Sequence, residues 1–218
     1  MKLQTLIPRF DPEHPRSAIE NMKLLADASD AEILAFLHDD VDVHDPDWTF
    51  KVTCFFEWFP KVGLVGFGGA LGLGTWDIYK RPYDFRQLAR QDYYSAQDGW
   101  ENHGDYLNRA LRVTMLDGYA LIFRRQAYEE MGRWDAALAN GLEYHMYDFW
   151  ACCRMEELGW EVWALPISCN HHGGGTSVKA EYDAWLKSRG IEGDGEIHRK
   201  AHEICYERFR RILPWRLR

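Results

Sequence analysis

The sequence predicts an α/β fold in which a mixed, mostly parallel sheet is flanked by helices. Short apolar runs such as EILAFLH and VGLVGFGG have the length and composition of buried strands. They alternate along the chain with amphipathic stretches of helical spacing, an order that is typical of parallel α/β sheets. The length of 218 residues suits one domain with a small appendage.

The individual elements follow from apolar periodicity and from residues that start or stop helices. Ser17 is placed to cap the first helix, and Pro46 lies in the first turn of the second. The predicted strands cover residues 3 to 7, 32 to 38, 62 to 69, 113 to 123 and 160 to 168. The predicted helices cover residues 17 to 28, 46 to 58, 124 to 131, 144 to 158, 178 to 189 and 195 to 212.

Composition and charge exclude several classes of protein. Apolar residues make up 46% of the chain, so a sizeable core is expected rather than disorder. The formal charge of -8 argues against nucleic acid as a partner, because such binding needs a basic surface. The five cysteines include an adjacent pair and no CxxC spacing, which indicates reduced thiols. We expect a cytoplasmic protein without a transmembrane segment, since no stretch reaches about 18 apolar residues.

The stretch FLHDDVDVHDPDW contains five aspartates directly after a predicted strand. On a continuing strand Asp40 and Asp42 would share a face, and the carboxyl end of such a strand is where open α/β sheets bind ligands. Two carboxylates there offer hard oxygen ligands to Mn²⁺ or Mg²⁺. The alternative is a solvated turn in which Asp45 caps the next helix. His38 is expected to be a packed side chain.

Three other segments carry candidate chemistry. Asp148, at the start of a predicted helix, could act as a general base or merely complement the helix dipole. His171 and His172 end a strand before three glycines, where they could bind a metal or form an exposed pair. The glycines at 66 to 74 lack dinucleotide-binding spacing and instead suggest close backbone approach. The aromatic excursion over residues 71 to 112 is too long to be a simple connection.

The order of these motifs resembles a family-2 glycosyltransferase with the GT-A fold over roughly residues 17 to 177. HDDVD matches the acidic metal-binding motif of that family, with Asp40 as its firmest position. The segment from Gly118 through Arg125, followed by Gly-Arg-Trp-Asp at 132 to 135, matches a family pattern of a glycine, an apolar run, two arginines and then Gly-x-Phe-Asp. Asp148 lies six residues before Arg154, which is the spacing of the family's catalytic base, although Tyr147 replaces the usual Glu.

The resemblance implies an inverting transfer of a sugar from a nucleotide-diphosphate donor to the hydroxyl of a saccharide or other acceptor. Asp148 would be the catalytic base, and Mn²⁺ or Mg²⁺ would offset the acidity of the chain toward a diphosphate. The implied metal ligands are Asp40, Asp42 and His171. The implied donor-binding residues are Asn21, Asp39, Gly118 and His172. The proposed acceptor-binding residues are Trp76, Trp134, Asp135, Glu143 and Tyr147.

One departure from that family concerns the N-terminal, base-binding unit, which is short here. The base pocket would then be reduced, or a second subunit of a homo-oligomer would supply it, or the chain would be a truncated relative of the family. Residues 1 to 177 are expected to form the GT-A-like domain, and residues 178 to 218 a helical extension packed on it. The alternative function is a non-catalytic GT-A-like domain that acts as a binding or assembly module.

Overall fold

The computed structural model describes residues 1–74, 87–89, 91–95, 99–102, 104–172 and 180–217. The helices in these ranges are Ala18–Asp27 (α1), Trp48–Trp58 (α2), Arg125–Glu130 (α3), Arg133–Ala139 (α4), Tyr147–Leu158 (α5), Ala180–Ser188 (α6) and Asp194–Arg208 (α7). The first strands are Leu3–Leu6 (β1), Ile33–Leu37 (β2), Val41–Val43 (β3), Val62–Gly66 (β4), Gly68–Ala70 (β5) and Gly72–Leu73 (β6).

The remaining strands lie in and after the aromatic excursion. They are Gln87–Ala89 (β7), Gln91–Ser95 (β8), Gly99–Asn102 (β9), Asp105–Tyr106 (β10), Leu111–Arg112 (β11), Met115–Leu116 (β12), Ala120–Arg124 (β13), Glu161–Ala164 (β14), Cys169–His171 (β15) and Trp215–Arg216 (β16).

The central sheet has six strands in the order β1-β2-β13-β4-β14-β11. The pairs β1–β2 and β4–β14 are parallel, whereas β13 runs antiparallel to both β2 and β4. Four of the six strands therefore point in one direction, and β13 and β11 oppose them. The prediction of a mixed, mostly parallel sheet between helices is confirmed.

Both faces of the central sheet are buried, which explains why its strands are continuous apolar runs. All five residues of β2 and all five of β4 are buried. One face packs under α1, α3, α4 and α5, where Phe36 and Phe123 meet Trp134 in edge-to-face contacts. The other face packs under α2, with Val52 and Phe56 at its centre.

Local sequence signals start and end several elements as expected. Ser17 caps α1 in a capping box, since its hydroxyl accepts the N–H of Glu20 and the Glu20 carboxylate accepts the N–H of Ser17. The Asp45 carboxylate accepts the N–H of Asp47, but α2 begins only at Trp48 and has Asp47 as its N-cap without a side-chain cap, so the predicted Asp45 cap and the placement of Pro46 in the first turn are wrong. Gly69 fulfils its prediction, because an added Cβ would lie 2.0 Å from the Met115 carbonyl oxygen.

Several predicted elements differ from the structure. The strand predicted over residues 62 to 69 is split into β4 and β5, which lie in different sheets, the strand predicted over residues 160 to 168 ends at Ala164, and the helix predicted to residue 212 ends at Arg208. The single strand predicted over residues 113 to 123 is broken into β12 and β13 by a turn at Asp117 and Gly118, where the Asp117 N–H bonds to the Gly68 carbonyl. The helix predicted from residue 144 begins only at Tyr147. Met146 before it has a positive φ of 62°, so the backbone there leaves the helical path.

The C-terminal helices contribute to the same core as the sheet. Cys205 and Tyr206 of α7, with Phe209 just beyond it, are buried in the cluster that includes Phe149 and Trp150 of α5. Within the described ranges, no helix combines the length and apolar character needed to cross a lipid bilayer.

Candidate metal centre and catalytic site

A cavity of about 270 Å³ opens where the adjacent strands β1 and β2 end. Its walls come from residues 8 to 10 after β1, from the inner face of α1, from residues 38 to 40 after β2, and from residues 144, 145 and 147. Tyr182 and Asp194 of the C-terminal helices line a further side. The carboxyl ends of parallel strands are the usual ligand site of open α/β sheets, so the cavity lies where a substrate is expected.

His38, Asp40 and His171 meet at this cavity. Their potential ligand atoms all lie within 4.8 Å of one another. The Asp40 Oδ1 atom is 3.3 Å from His171 Nε2 and 3.9 Å from His38 Nδ1. The antiparallel pairing of β3 with β15 creates this meeting, because it places His171 opposite Val41, next to Asp40 in the chain.

The charges of the cluster suit a cation. Burial lowers the pKa of His38, with a further contribution from the neighbouring His171, so the imidazole is neutral and can donate a lone pair. Burial alone would raise the pKa of Asp40, but the hydrogen bond and charge of His171, together with His38, outweigh it and lower that pKa. Asp40 is therefore an anion at neutral pH.

The donor set fits a divalent transition ion. Among the described residues, the buried Asp40 Oδ1 atom has the two imidazoles at 3.3 and 3.9 Å but no well-aligned hydrogen bond, and a bound cation would satisfy it better. Two imidazoles and one carboxylate suit Mn²⁺ better than Mg²⁺, which prefers oxygen ligands. His38 is a ligand candidate that the sequence reasoning assigned to packing. The spacing H-x-D was the available signal for it.

Asp42 and His172 do not join the cluster, which corrects the assignment of Asp42 as a metal ligand. The Asp42 carboxylate is 71% exposed and lies 2.8 Å from His172 Nε2. Asp40 and Asp42 would share a face only on a continuous strand, but β2 ends at Leu37 and a turn intervenes before β3. The turn rotates the two side chains to different surroundings.

Asp148 lies at the start of α5 as predicted, and its carboxylate is in a poorly solvated place. Burial, reinforced by the nearby Asp117 carboxylate, raises the pKa of Asp148 to about 7. The N–H groups of Phe149, at 2.7 Å, and of Gly118 oppose this shift. A carboxylate whose pKa lies near neutrality is well matched to proton transfer as a general base.

Tyr147 connects Asp148 with the His38–Asp40–His171 cluster. Its hydroxyl lies 2.5 Å from His38 Nε2 and 3.5 Å from the Gly118 carbonyl oxygen. Burial raises the pKa of the Tyr147 hydroxyl, and the carboxylates of Asp148, Asp117 and Asp40 are close enough to add to this effect. The candidate base and the candidate metal ligands therefore flank one side chain.

The family comparison matches residues 13–188 to a model described as a glycosyltransferase-like family. The matched region covers most of the chain, from before α1 to the end of α6. The chain belongs to this glycosyltransferase-like family. This membership supports a sugar-transfer function for the chain.

Among solved structures, 46 chains match. One of them is a crystal structure of GalNAc-T7 with UDP, GalNAc and Mn²⁺, with 12% sequence identity and a TM-score of 0.49. The alignment covers 92% of this chain and 44% of the GalNAc-T7 chain, so this chain spans less than half the length of that one. The comparison with curated proteins gives no significant match.

The residues assigned to the donor divide between the cavity and its border. Asn21 and Asp39 line the cavity, and the Asn21 amide donates to the Arg9 carbonyl at 2.9 Å, which holds the loop after β1 against α1. Gly118 lies beside Tyr147 instead. His172 is engaged with Asp42 and is not among the described residues that line the cavity.

Two charged residues assigned to the acceptor form ion pairs elsewhere. Asp135 pairs with Lys23 at 3.4 Å, and Glu143 pairs with Arg189 through both carboxylate oxygens at 2.7 and 2.8 Å. Neither is among the described residues that line the cavity. Trp76 lies outside the described residues.

Trp134 cannot present its ring to an acceptor, because it is fully buried between Phe36, Phe123 and Tyr128. Its assignment as an acceptor-binding residue is therefore wrong.

The burial of Trp134 instead predicts a role in stability. We expect Trp134→Ala to lower the free energy of unfolding by about 3–5 kcal/mol, since it removes the centre of an aromatic cluster. Urea titration measures this loss. Unchanged stability together with a raised acceptor KM would restore the original assignment.

His145, Tyr182 and Asp194 are cavity residues that sequence reasoning did not assign to the site. The Asp194 carboxylate accepts the Tyr182 hydroxyl at 3.0 Å and lies 2.7 Å from His145 Nε2. The hydrogen bond and charge of His145 outweigh the effect of burial and lower the pKa of Asp194. Contacts across about 50 residues of sequence bring them together, so no local motif could reveal them.

Proposed function

We propose that this chain is a metal-dependent, inverting glycosyltransferase that moves a sugar from a nucleotide-diphosphate sugar to an acceptor hydroxyl. The observation that carries the proposal is the occurrence of a poorly solvated carboxylate, Asp148, next in the chain to Tyr147, whose hydroxyl contacts the His38–Asp40–His171 cluster. A metal-dependent inverting transfer uses both groups, one to accept a proton and one to offset the charge of the leaving diphosphate.

Asp40, His171 and His38 would hold the divalent ion, and Asp39 and Asn21 would contact the donor within the cavity. When bound, the ion neutralises charge that develops on the leaving diphosphate. The described lining of the cavity includes the carboxylates of Asp39, Asp40 and Asp194 against the guanidinium of Arg9, so without a cation this chain of net charge -8 would repel the donor.

Asp148 would accept the proton of the acceptor hydroxyl as that oxygen attacks the anomeric carbon. The attack comes from the face opposite the diphosphate, which inverts the anomeric configuration. The poorly solvated position of Asp148 keeps its carboxylate basic enough for this step. Rigid elements on both sides, α5 and the turn at Gly118, would hold the base in place.

A thermal-shift panel tests the proposal directly. The wild-type protein is heated with nucleoside diphosphates and nucleotide-sugars, with Mn²⁺, with Mg²⁺ and without a divalent ion. We expect one base to raise the melting temperature, and Mn²⁺ to increase this shift more than Mg²⁺ because of the two imidazoles. Product analysis by NMR then reports the anomeric configuration.

A panel in which no nucleotide stabilises the protein under any of these conditions would contradict the proposal. It would instead favour the non-catalytic binding or assembly module. Retention of the anomeric configuration in the product would contradict the inverting step and leave metal dependence in place.

A further inference from the structure

The Tyr147 hydroxyl makes two contacts whose directions are linked. It donates to the Gly118 carbonyl oxygen at 3.5 Å and lies 2.5 Å from His38 Nε2. A carbonyl oxygen can only accept, and a tyrosine hydroxyl has one proton to give. If that proton is committed to Gly118, the hydroxyl oxygen must accept its second hydrogen bond from an N–H at His38 Nε2.

The direction of these two hydrogen bonds determines which ring nitrogen of His38 carries a free lone pair. A neutral imidazole with its proton on Nε2 is unprotonated at Nδ1, the atom that lies 3.9 Å from Asp40 Oδ1. We propose that Tyr147 is a positioning residue that holds His38 in the Nε2–H tautomer, so that Nδ1 serves as a metal ligand beside Asp40 and His171. The inference rests on the metal centre of the proposed function.

The surroundings hold the Tyr147 hydroxyl in place from several sides. Tyr147 is the first residue of α5, and its ring packs edge-on against the buried Trp134 with 6.3 Å between ring centroids. The backbone of Gly118 lies against the same ring, since a Cβ at that position would be 2.9 Å from the Tyr147 oxygen. The hydroxyl therefore has little freedom to move away from His38.

Acceptors of this kind orient metal-binding histidines in general. A histidine that binds a metal through one nitrogen usually donates its other N–H to a nearby acceptor, and loss of that acceptor lowers metal affinity by about 10–100-fold. We therefore expect Tyr147→Phe to weaken Mn²⁺ binding by a factor in this range. Free Mn²⁺ measured by EPR during titration gives the affinity without any substrate.

The tautomer itself is a readout that a purely structural role would not change. In ¹⁵N-histidine NMR spectra of the metal-free protein, we expect His38 to be protonated at Nε2 in the wild type. In Tyr147→Phe the Nδ1–H tautomer should gain population, because the hydroxyl acceptor at Nε2 is lost while the Asp40 carboxylate remains 3.9 Å from Nδ1. The His38→Gln variant identifies the resonances.

Gly118→Ala provides an independent disturbance that keeps the hydroxyl. The added methyl group would crowd the Tyr147 oxygen and ring, at 2.9 to 3.1 Å, and displace them from His38. We expect its loss of Mn²⁺ affinity to resemble that of Tyr147→Phe, and the double variant to lose little more than either single one. Tyr128→Phe, which removes another buried hydroxyl in the same aromatic cluster, is the matched control and should bind Mn²⁺ as the wild type does.

Three results would overturn the inference: a wild-type His38 protonated at Nδ1, an unchanged Mn²⁺ affinity in Tyr147→Phe, or a wild type that does not bind Mn²⁺. The proposed function can fail separately. If the nucleotide panel shows no donor while Mn²⁺ binding and the His38 tautomer both depend on Tyr147, the positioning role is supported and the transfer reaction is not.

Discussion

Replacing Asp148 by Asn is expected to lower the rate of sugar transfer by roughly 10²–10⁴-fold, because the amide cannot accept the proton of the acceptor hydroxyl. The Asn side chain has nearly the same shape, and its carbonyl oxygen can still accept the N–H of Phe149. Mn²⁺-dependent stabilisation by the donor should therefore be unchanged. Single-turnover kinetics measures the transfer step, and an active variant would exclude Asp148 as the base.

The pH dependence of transfer follows from the same carboxylate. A base whose pKa is about 7 is protonated and inactive at lower pH, so the rate should rise as the pH increases through about 7. The Asp117 charge contributes to this raised pKa. Asp117→Asn should therefore move the acidic limb of the profile to lower pH, and an unmoved limb would assign it to another group.

The same carboxylate makes the folding stability of the wild type fall with rising pH, whereas the transfer rate rises. The pKa of Asp148 is higher in the folded chain than its ordinary value of 3.8, so the folded state binds the proton more tightly than the unfolded state. Wild-type stability from this group is then present at low pH and is lost as pH rises toward about 7. Relative to wild type, the Asn variant should gain stability over that interval. Chemical denaturation at pH 5 and pH 8 measures the difference.

The second large effect concerns Asp40 and Asp42, which are close in sequence but lie in different environments. We expect Asp40→Asn to weaken Mn²⁺ binding by more than about 100-fold. Loss of a group that only orients a ligand weakens metal binding by about 10–100-fold, and this change removes the carboxylate ligand itself. Donor stabilisation with Mn²⁺ should disappear with it. EPR titration of free Mn²⁺ and the thermal-shift panel measure the two effects.

Asp42→Asn is the matched control, because it makes the same chemical change two residues away. The Asp42 carboxylate is exposed and paired with His172, so we expect Mn²⁺ affinity close to that of the wild type. Equal losses in the two variants would contradict the separation of their roles and would restore Asp42 as a ligand.

Much of the fold could be predicted from local patterns. The buried strands β2 and β4 were readable as apolar runs, and the Ser17 cap was readable because capping depends on residues three apart. The strand break at Gly118 was not readable, since it depends on a hydrogen bond between Asp117 and Gly68. Apolar periodicity contains no information about such a partner.

Local patterns were enough to predict that carboxylates follow β2, that Asp148 lies at the start of a helix, and that His171 and His172 lie at the end of a strand. These are properties of neighbouring residues, and short-range geometry is enough to predict them. Which of these side chains meet depends on long-range contacts. The turn after Leu37 and the pairing of β3 with β15 bring His38 and His171 to Asp40 and leave Asp42 facing solvent. Strand register across about 130 residues sets these contacts, and no spacing within the motif could reveal it.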